Sequence, residues 1–188
     1  MAVLPIRITG EPVLHLRAAP VQSIDDSVRA LVADMFDTMA AAPGVGLAAP
    51  QVGVGLRLFV YDWTDDDDVH WRGVAVNPEL LVSPLDLDEL DEECESEGCL
   101  SVPGERFPLR RAERALLRAA DLEGNRFEID ARGWLARIFQ HEYDHLDGVL
   151  YVDRLAHPYG KASVKAIKRN SWGSPGQSWL PGRDHLED

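Results

Sequence analysis

Hydrophobic and polar positions alternate along this chain in two rhythms. Between Ser23 and Ala42, the residues Val28, Leu31, Val32, Met35 and Met39 recur at helical spacing, which predicts an amphipathic helix with Ser23 as its cap. Pro43-Gly44 ends it, because proline cannot continue the hydrogen-bond ladder. Leu56–Tyr61 and Val74–Val76 read as strands, and Ala115–Asp121 with Arg126–Asp130 as a hairpin around Gly124-Asn125. A second helix is expected over Gly133–Leu146, with Leu135, Ile138, Glu142 and His145 along one face and Asp147-Gly148 as its stop. Val149–Val152 reads as a short strand and Pro158–Asn170 as a third, basic helix. The remainder, 171–188, is rich in Gly, Pro, Ser and Trp and reads as an irregular tail. Together these predict an α+β fold, with mixed or antiparallel sheets packed around a central helix. Residues 1–170 form a single domain followed by the tail.

At 188 residues the chain is long enough for one well-buried core. No apolar run reaches the roughly 20 residues of a membrane span, and the N-terminus lacks the charged and apolar regions of a signal peptide. Only two cysteines are present, Cys94 and Cys99, too few for a disulfide framework. A cytoplasmic protein with no membrane partner is therefore expected. The net charge of −13 argues against DNA and other sequence-independent nucleic-acid binding, which needs a positive field. Two acidic stretches, Asp65–Asp68 and Asp86–Glu97, read as exposed loops, since like charges in a row repel and stay hydrated.

The chemistry concentrates in three segments. In His141-Glu142-Tyr143-Asp144-His145, the two histidines stand four apart on a helix and can reach one metal ion, while Glu142 can lean toward a metal-bound water as general base. Alone, such a pattern also fits an ordinary helix with two histidines. A catalytic site needs a third ligand; Cys99, a carboxylate, or one of His15, His70, His157 and His185 could supply it. Cys99, after a glycine in Glu97-Gly98-Cys99-Leu100-Ser101, suits a soft divalent metal. Each of the other histidines, and Cys94, has an ordinary surface or packing reading. In Gly44-Val45-Gly46-Leu47-Ala48-Ala49-Pro50-Gln51, Gly44 and Gly46 leave backbone bare for a peptide to approach, and Gln51 can donate to an oxyanion.

These three segments, in this order, resemble the peptide deformylase family over roughly Ile6 to Leu155. The resemblance implies metal ligands Cys99, His141 and His145, with Glu142 as base and the Leu100 N–H and Gln51 amide stabilising the oxyanion. Its implied substrates are nascent N-formylmethionyl polypeptides, and formate is released. One divalent ion is implied, with Fe2+ favoured in the cell and Zn2+, Ni2+ or Co2+ able to substitute. Gly44, Val45, Gly46, Trp134 and Ile138 are the expected substrate contacts, with Arg106 at the pocket mouth. A formyl carbon carries only hydrogen, so a narrow site can accept it and exclude a peptide carbonyl. Arg137 stands where many relatives carry an apolar residue, which bears on the pocket's shape. The acidic stretch before Glu97 is longer than usual in the family, and the tail after Asn170 is not a general family feature. The basic helix, with Lys161, Lys165, Lys168 and Arg169, reads either as ribosome-docking or as ordinary surface packing Val164 and Ile167 inward. Two rival functions remain at this level: another HExxH metallopeptidase, or a non-catalytic metal- or peptide-binding relative. An intact Glu142 speaks against the latter, since a structural site needs no base.

Overall fold

A computed structural model describes residues 2–86 and 90–186. Its elements in order are β1 (Ile6–Arg7), α1 (Asp26–Ala41), β2 (Gly46–Ala48), β3 (Leu58–Thr64), β4 (His70–Val82), β5 (Ser96–Cys99), β6 (Val102–Pro108), β7 (Arg114–Ala120), β8 (Arg126–Arg132), α2 (Gly133–Leu146), α3 (Tyr159–Arg169) and β9 (Ser178–Trp179). The architecture is α+β. Five antiparallel strands form the main sheet in the order β2-β3-β4-β7-β8, while β5 pairs with β6 and β1 with β9.

The apolar run Leu58-Phe59-Val60-Tyr61 explains the layering. Successive strand residues face opposite sides, and here both sides are buried. Phe59 and Tyr61 pack with Leu135, Ile138 and Phe139 of α2. Leu58 and Val60 pack with Val28, Val32, Met35 and Met39 of α1. The two helices therefore cover opposite faces of the sheet, with α2 and α1 each held in a cluster of similar size. Burying each large apolar side chain contributes about 1.5–3 kcal/mol.

Helix α2 matches the sequence reading at both ends, and Gly148 closes it with a φ of +74°. A Cβ there would lie 2.8 Å from the backbone of Leu16, so this turn needs glycine for space as well as conformation. Other expectations are corrected. The cap of α1 is Asp25, whose side chain accepts from the Ser27 and Val28 amides, and not Ser23. Strand β4 runs on past Val76 to Val82, with a register shift between Val76 and Glu79 that carries the pairing past Pro78. Val149–Val152 is not a strand. Tyr151–Arg154 forms a 3-10 turn, with the Asp153 carboxylate accepting from the Leu150 amide and Leu150 and Tyr151 filling a small core cluster. In α3 it is Ser163 and Ala166 that are buried, while Val164 is 65% exposed.

The acidic stretches divide. Asp65–Asp68 makes the turn between β3 and β4, with Asp65 accepting from the amides of Asp67 and Val69. Asp91, Glu92 and Glu93 are exposed, but Glu97 is buried, so the second stretch is not a uniform surface loop. Residues 87–89 of it lie outside the described residues. The segment after α3 is mostly turns, but Ser178–Trp179 adds a strand to β1 and buries Trp179. Among the described residues, no helix is long and apolar enough to cross a membrane.

Candidate active site and metal centre

Cys99 ends β5 at an irregularity in its pairing with β6, where Gly98 opposes Arg106 but Cys99 opposes Val102. Such a bulge re-aims the side chain that follows it. Here the Cys99 sulfur turns toward α2. His141 and His145 stand one helical turn apart on α2 and face it. Cys99 Sγ lies 3.3 Å from His145 Nε2, which lies 3.1 Å from His141 Nε2. The three donor atoms all fall within 4.8 Å of one another. Among the described residues, this is the one group of histidines, cysteines and carboxylates so placed. His70 instead pairs with Asp62, His15 accepts from the Gly10 amide, and Cys94 is exposed.

The donor set fits a divalent cation. Glu97 Oε1 sits 2.6 Å from His141 Nδ1, a contact that places a proton on Nδ1 and turns Nε2 toward the cluster. Burial works against a charged His141, yet the Cys99 sulfur and the Glu97 carboxylate raise its pKa well above the usual value. Burial and the neighbouring His141 push His145 well below it. The site therefore attracts positive charge while one of its rings resists carrying it. A thiolate with two imidazoles suits zinc, iron, nickel or cobalt.

A polar network supports the three donors from behind. Arg111 holds both Glu97 oxygens, at 2.7 and 3.1 Å, and also reaches Asp144 at 2.6 Å. Arg154 grips the same Asp144 through two bonds of 2.5 Å. Burial opposes ionisation of Glu97, but His141 and Arg111 outweigh it and hold the carboxyl well below the ordinary range. Gln140 locks α2 to the β6–β7 connection by accepting from the Ala112 amide and donating to its carbonyl. Arg137 borders the cleft, but its guanidinium is engaged by Leu109 O at 2.6 Å and Glu97 at 3.1 Å, over the Trp134 ring.

In front of these donors opens a cleft of about 570 Å³. All six expected substrate contacts, Gly44, Val45, Gly46, Arg106, Trp134 and Ile138, border it, as do Gln51, Leu100, Cys99, His141 and Glu142. Gln51 accepts from the Ala48 amide through Oε1, which aims its Nε2 toward Cys99 Sγ at 3.8 Å and Ser101 Oγ at 3.5 Å. Glu142 is 3% exposed, and its Oε2 has no hydrogen-bond partner among the described residues. Burial raises its pKa to about 7. Gly46 makes the room for it: a Cβ there would stand 2.4 Å from Glu142 Oε1.

Sequence reasoning gave no role to Glu97, Arg111, Asp144 or Trp63. Glu97 could have been found, because residues two apart on a strand share a face and Cys99 is two further on. Trp63, which packs on Trp134 and lines the cleft, carries no local signal.

A family model described as polypeptide deformylase matches residues 3–160. The chain belongs to the peptide deformylase family. It is 51% identical over 189 residues to a peptide deformylase of Mycolicibacterium paratuberculosis, covering 97% of this chain and 96% of the relative. It is 52% identical over 186 residues to one of Rhodococcus opacus, covering 97% and 95%. Among solved structures, the peptide deformylase of Ehrlichia chaffeensis in complex with actinonin superposes with a TM-score of 0.78 at 35% identity, over 90% of this chain and 98% of that one. A class I type b peptide deformylase of Acinetobacter baumannii with Met-Ala-Ser bound gives 0.71 at 38%, over 81% and 98%. Membership makes the chain a metal-dependent amide hydrolase and sets aside the endopeptidase and the non-catalytic relative.

Proposed function

We propose that this enzyme hydrolyses the N-formyl group of N-formylmethionyl polypeptides, with Cys99, His141 and His145 holding one divalent ion. The observation that carries this reading is the convergence of those three donors, of which Cys99 and His141 line the cleft, beside a buried carboxylate with one oxygen that has no partner among the described residues. The ion would lower the pKa of water and polarise the formyl oxygen. The soft donor set is compatible with Fe2+, which we favour, and with Zn2+, Ni2+ or Co2+ in its place.

The protein's own groups do the rest. Glu142, with a pKa near neutrality, accepts a proton from the attacking water and returns it to the departing amine nitrogen. Gln51 Nε2 and the Leu100 N–H donate to the oxyanion, each such donor contributing about 3 kcal/mol in the transition state. Strand β2 is an edge of the main sheet, so the segment Gly44–Gly46 offers backbone groups to an extended peptide, as an added strand does. Val45, Trp134 and Ile138 form the apolar wall for the methionine side chain, with Arg106 at the mouth. The Met-Ala-Ser peptide bound to the Acinetobacter relative supports a peptide in this cleft.

Formate release from a formyl-Met peptide tests the proposal, with the unformylated peptide as control. Absent formate release by the metal-loaded enzyme, or internal cleavage of the control, overturns it. The substrate places the enzyme in the cytoplasm near the ribosome. Lys161, Lys165 and Lys168 are exposed on α3 around Val164, and we propose that they dock on ribosomal phosphate. Arg169 is instead committed to Glu105, beside the cleft. Replacing the three lysines with glutamine should lower co-sedimentation with ribosomes at low salt while turnover of a short peptide is kept.

A further inference from the structure

The segment after α3 returns to the molecule and reaches the back of the active site. The Gly173 amide donates to Thr9 O at 3.0 Å, the Ile8 amide to Gln177 O at 3.1 Å, and the Gln177 amide to the Glu11 carboxylate at 2.9 Å. Strand β9 then pairs Trp179 with Ile6. Trp179 is 1% exposed, packed with Ile6, Ile8 and Ala42, and Leu100 closes over the same cluster. Its indole N–H donates to the carbonyl of Leu100 at 2.9 Å.

That carbonyl belongs to the peptide unit joining Leu100 to Ser101. The other end of the same unit, the Ser101 N–H, points at Cys99 Sγ from 3.4 Å. The next carbonyl, Ser101 O, is held by the Thr9 amide at 2.8 Å. One planar amide thus has the tail's indole at its oxygen and the ligand sulfur at its hydrogen. A planar peptide turns as a body, and a hydrogen bond at its oxygen strengthens the donor at its nitrogen. The adjoining N–H, that of Leu100, is the proposed oxyanion donor. Fixing the plane on one side of the Leu100 Cα restricts the plane on the other.

We propose that Trp179 is a positioning residue: through the Leu100–Ser101 peptide it sets the N–H bond to the Cys99 sulfur and the aim of the Leu100 N–H, making the docked tail part of the active-site scaffold. The inference rests on the deformylase reading for its kinetic arm and only on Cys99 as a metal ligand for its spectroscopic arm.

Trp179→Phe removes the donor and keeps most of the packing. In the Co2+-loaded enzyme, the thiolate-to-metal charge-transfer band should shift, because one hydrogen bond to the sulfur is altered. With formyl-Met peptide, kcat should fall about tenfold with KM within about twofold, less than the roughly 10²–10³-fold loss expected from deleting an oxyanion donor outright. Glu11→Ala, which loosens the tail but leaves the indole in place, should change both readouts less. A folded, fully metallated Trp179→Phe with an unmoved band and unchanged kcat overturns the proposal, as does a kcat loss matched by the fraction of protein that has lost metal or unfolded. If that variant does not fold, the wild-type indole N–H resonance decides. Loading the apoprotein with Zn2+ should shift it, and an unmoved resonance overturns the coupling. Wild-type enzyme without formate release would instead defeat the functional reading and leave the band and resonance tests standing.

Discussion

Two polar regions meet at His141. Behind it stand Glu97, Arg111 and Asp144, buried charges whose hydrogen bonds are all made. In front stands Glu142, buried as deeply but with an oxygen that has no partner among the described residues. Both regions bear the desolvation cost of a carboxylate. Behind His141, charge pairing offsets that cost, and the carboxylate stays ionised. In front no hydrogen bond offsets it and the charges of His141 and Arg111 counter it only in part, so burial raises the pKa of Glu142 to about 7. On the proposed mechanism, the difference separates scaffold from reactant. A group that must hold a ring still is saturated with partners, while one that must take and give a proton is left unsaturated, poised where either charge state is accessible.

The sharpest way to break this comparison is to delete one member from each side. Glu142→Ala should lower kcat by about 10²–10⁴-fold, the range for a positioned acid–base group. It should keep its metal, and its thermal midpoint should hold or rise, because a buried polar atom without a partner is removed. Arg111→Met should do the reverse. It takes the most buried partner from two carboxylates at once, leaving Asp144 to the half-exposed Arg154 and Glu97 to Arg137 and His141, at a cost of up to about 3–5 kcal/mol, and metal retention should fail with stability. Formate release, metal analysis and thermal denaturation on the two purified proteins check this. An unstable Glu142→Ala beside a stable Arg111→Met would show that the regions had been assigned to the wrong roles.

Gly46→Ala probes the front region without touching a charge. The added methyl meets the end of a flexible side chain, so the fold should survive and Glu142 should swing aside. Displacing a reacting group by about 1 Å costs on the order of 10²-fold in rate. Metal content and thermal midpoint should stay near wild type. A wild-type kcat in this variant would mean that the carboxylate has another productive position.

The two regions also differ in how legible they were. The front came from short motifs: Gln51, Leu100, Cys99, His141, Glu142 and His145 each sit in a local pattern, and a helical period of four suffices to bring the histidines together. The back depends on Arg111 reaching residues 14 and 33 positions away, and no local pattern encodes such a contact. The same divide runs through the fold. Helix α2 was readable to the residue, since its period and its glycine stop are local. Strand β4 was read only over Val74–Val76, and a register shift lets its pairing continue past Pro78 to Val82. The apolar run Val149–Val152 looked like a strand, yet Leu150 and Tyr151 are buried against Leu14 and Val102 in a tight turn. Composition made residues 171–188 look irregular, and nothing local in it shows that Trp179 has a carbonyl to meet 79 positions away.

The smallest expected effect sharpens the comparison within the back region itself. Asp144 is shared by two arginines of unequal exposure: the Arg111 side chain is 6% exposed and that of Arg154 48%. If burial gives the network its importance, and not the count of ion pairs, the two should differ sharply. Water and salt screen the outer pair, and exposed pairs contribute about 0.2–1 kcal/mol. When Arg154 is removed, Arg111 still satisfies Asp144, so no buried charge is stranded. Arg154→Met should therefore lower the thermal midpoint by only a few degrees, and less at high salt. Its kcat, KM and metal content should match wild type. A loss approaching that of Arg111→Met would place the outer arginine within the scaffold and move the boundary between the regions out to the surface.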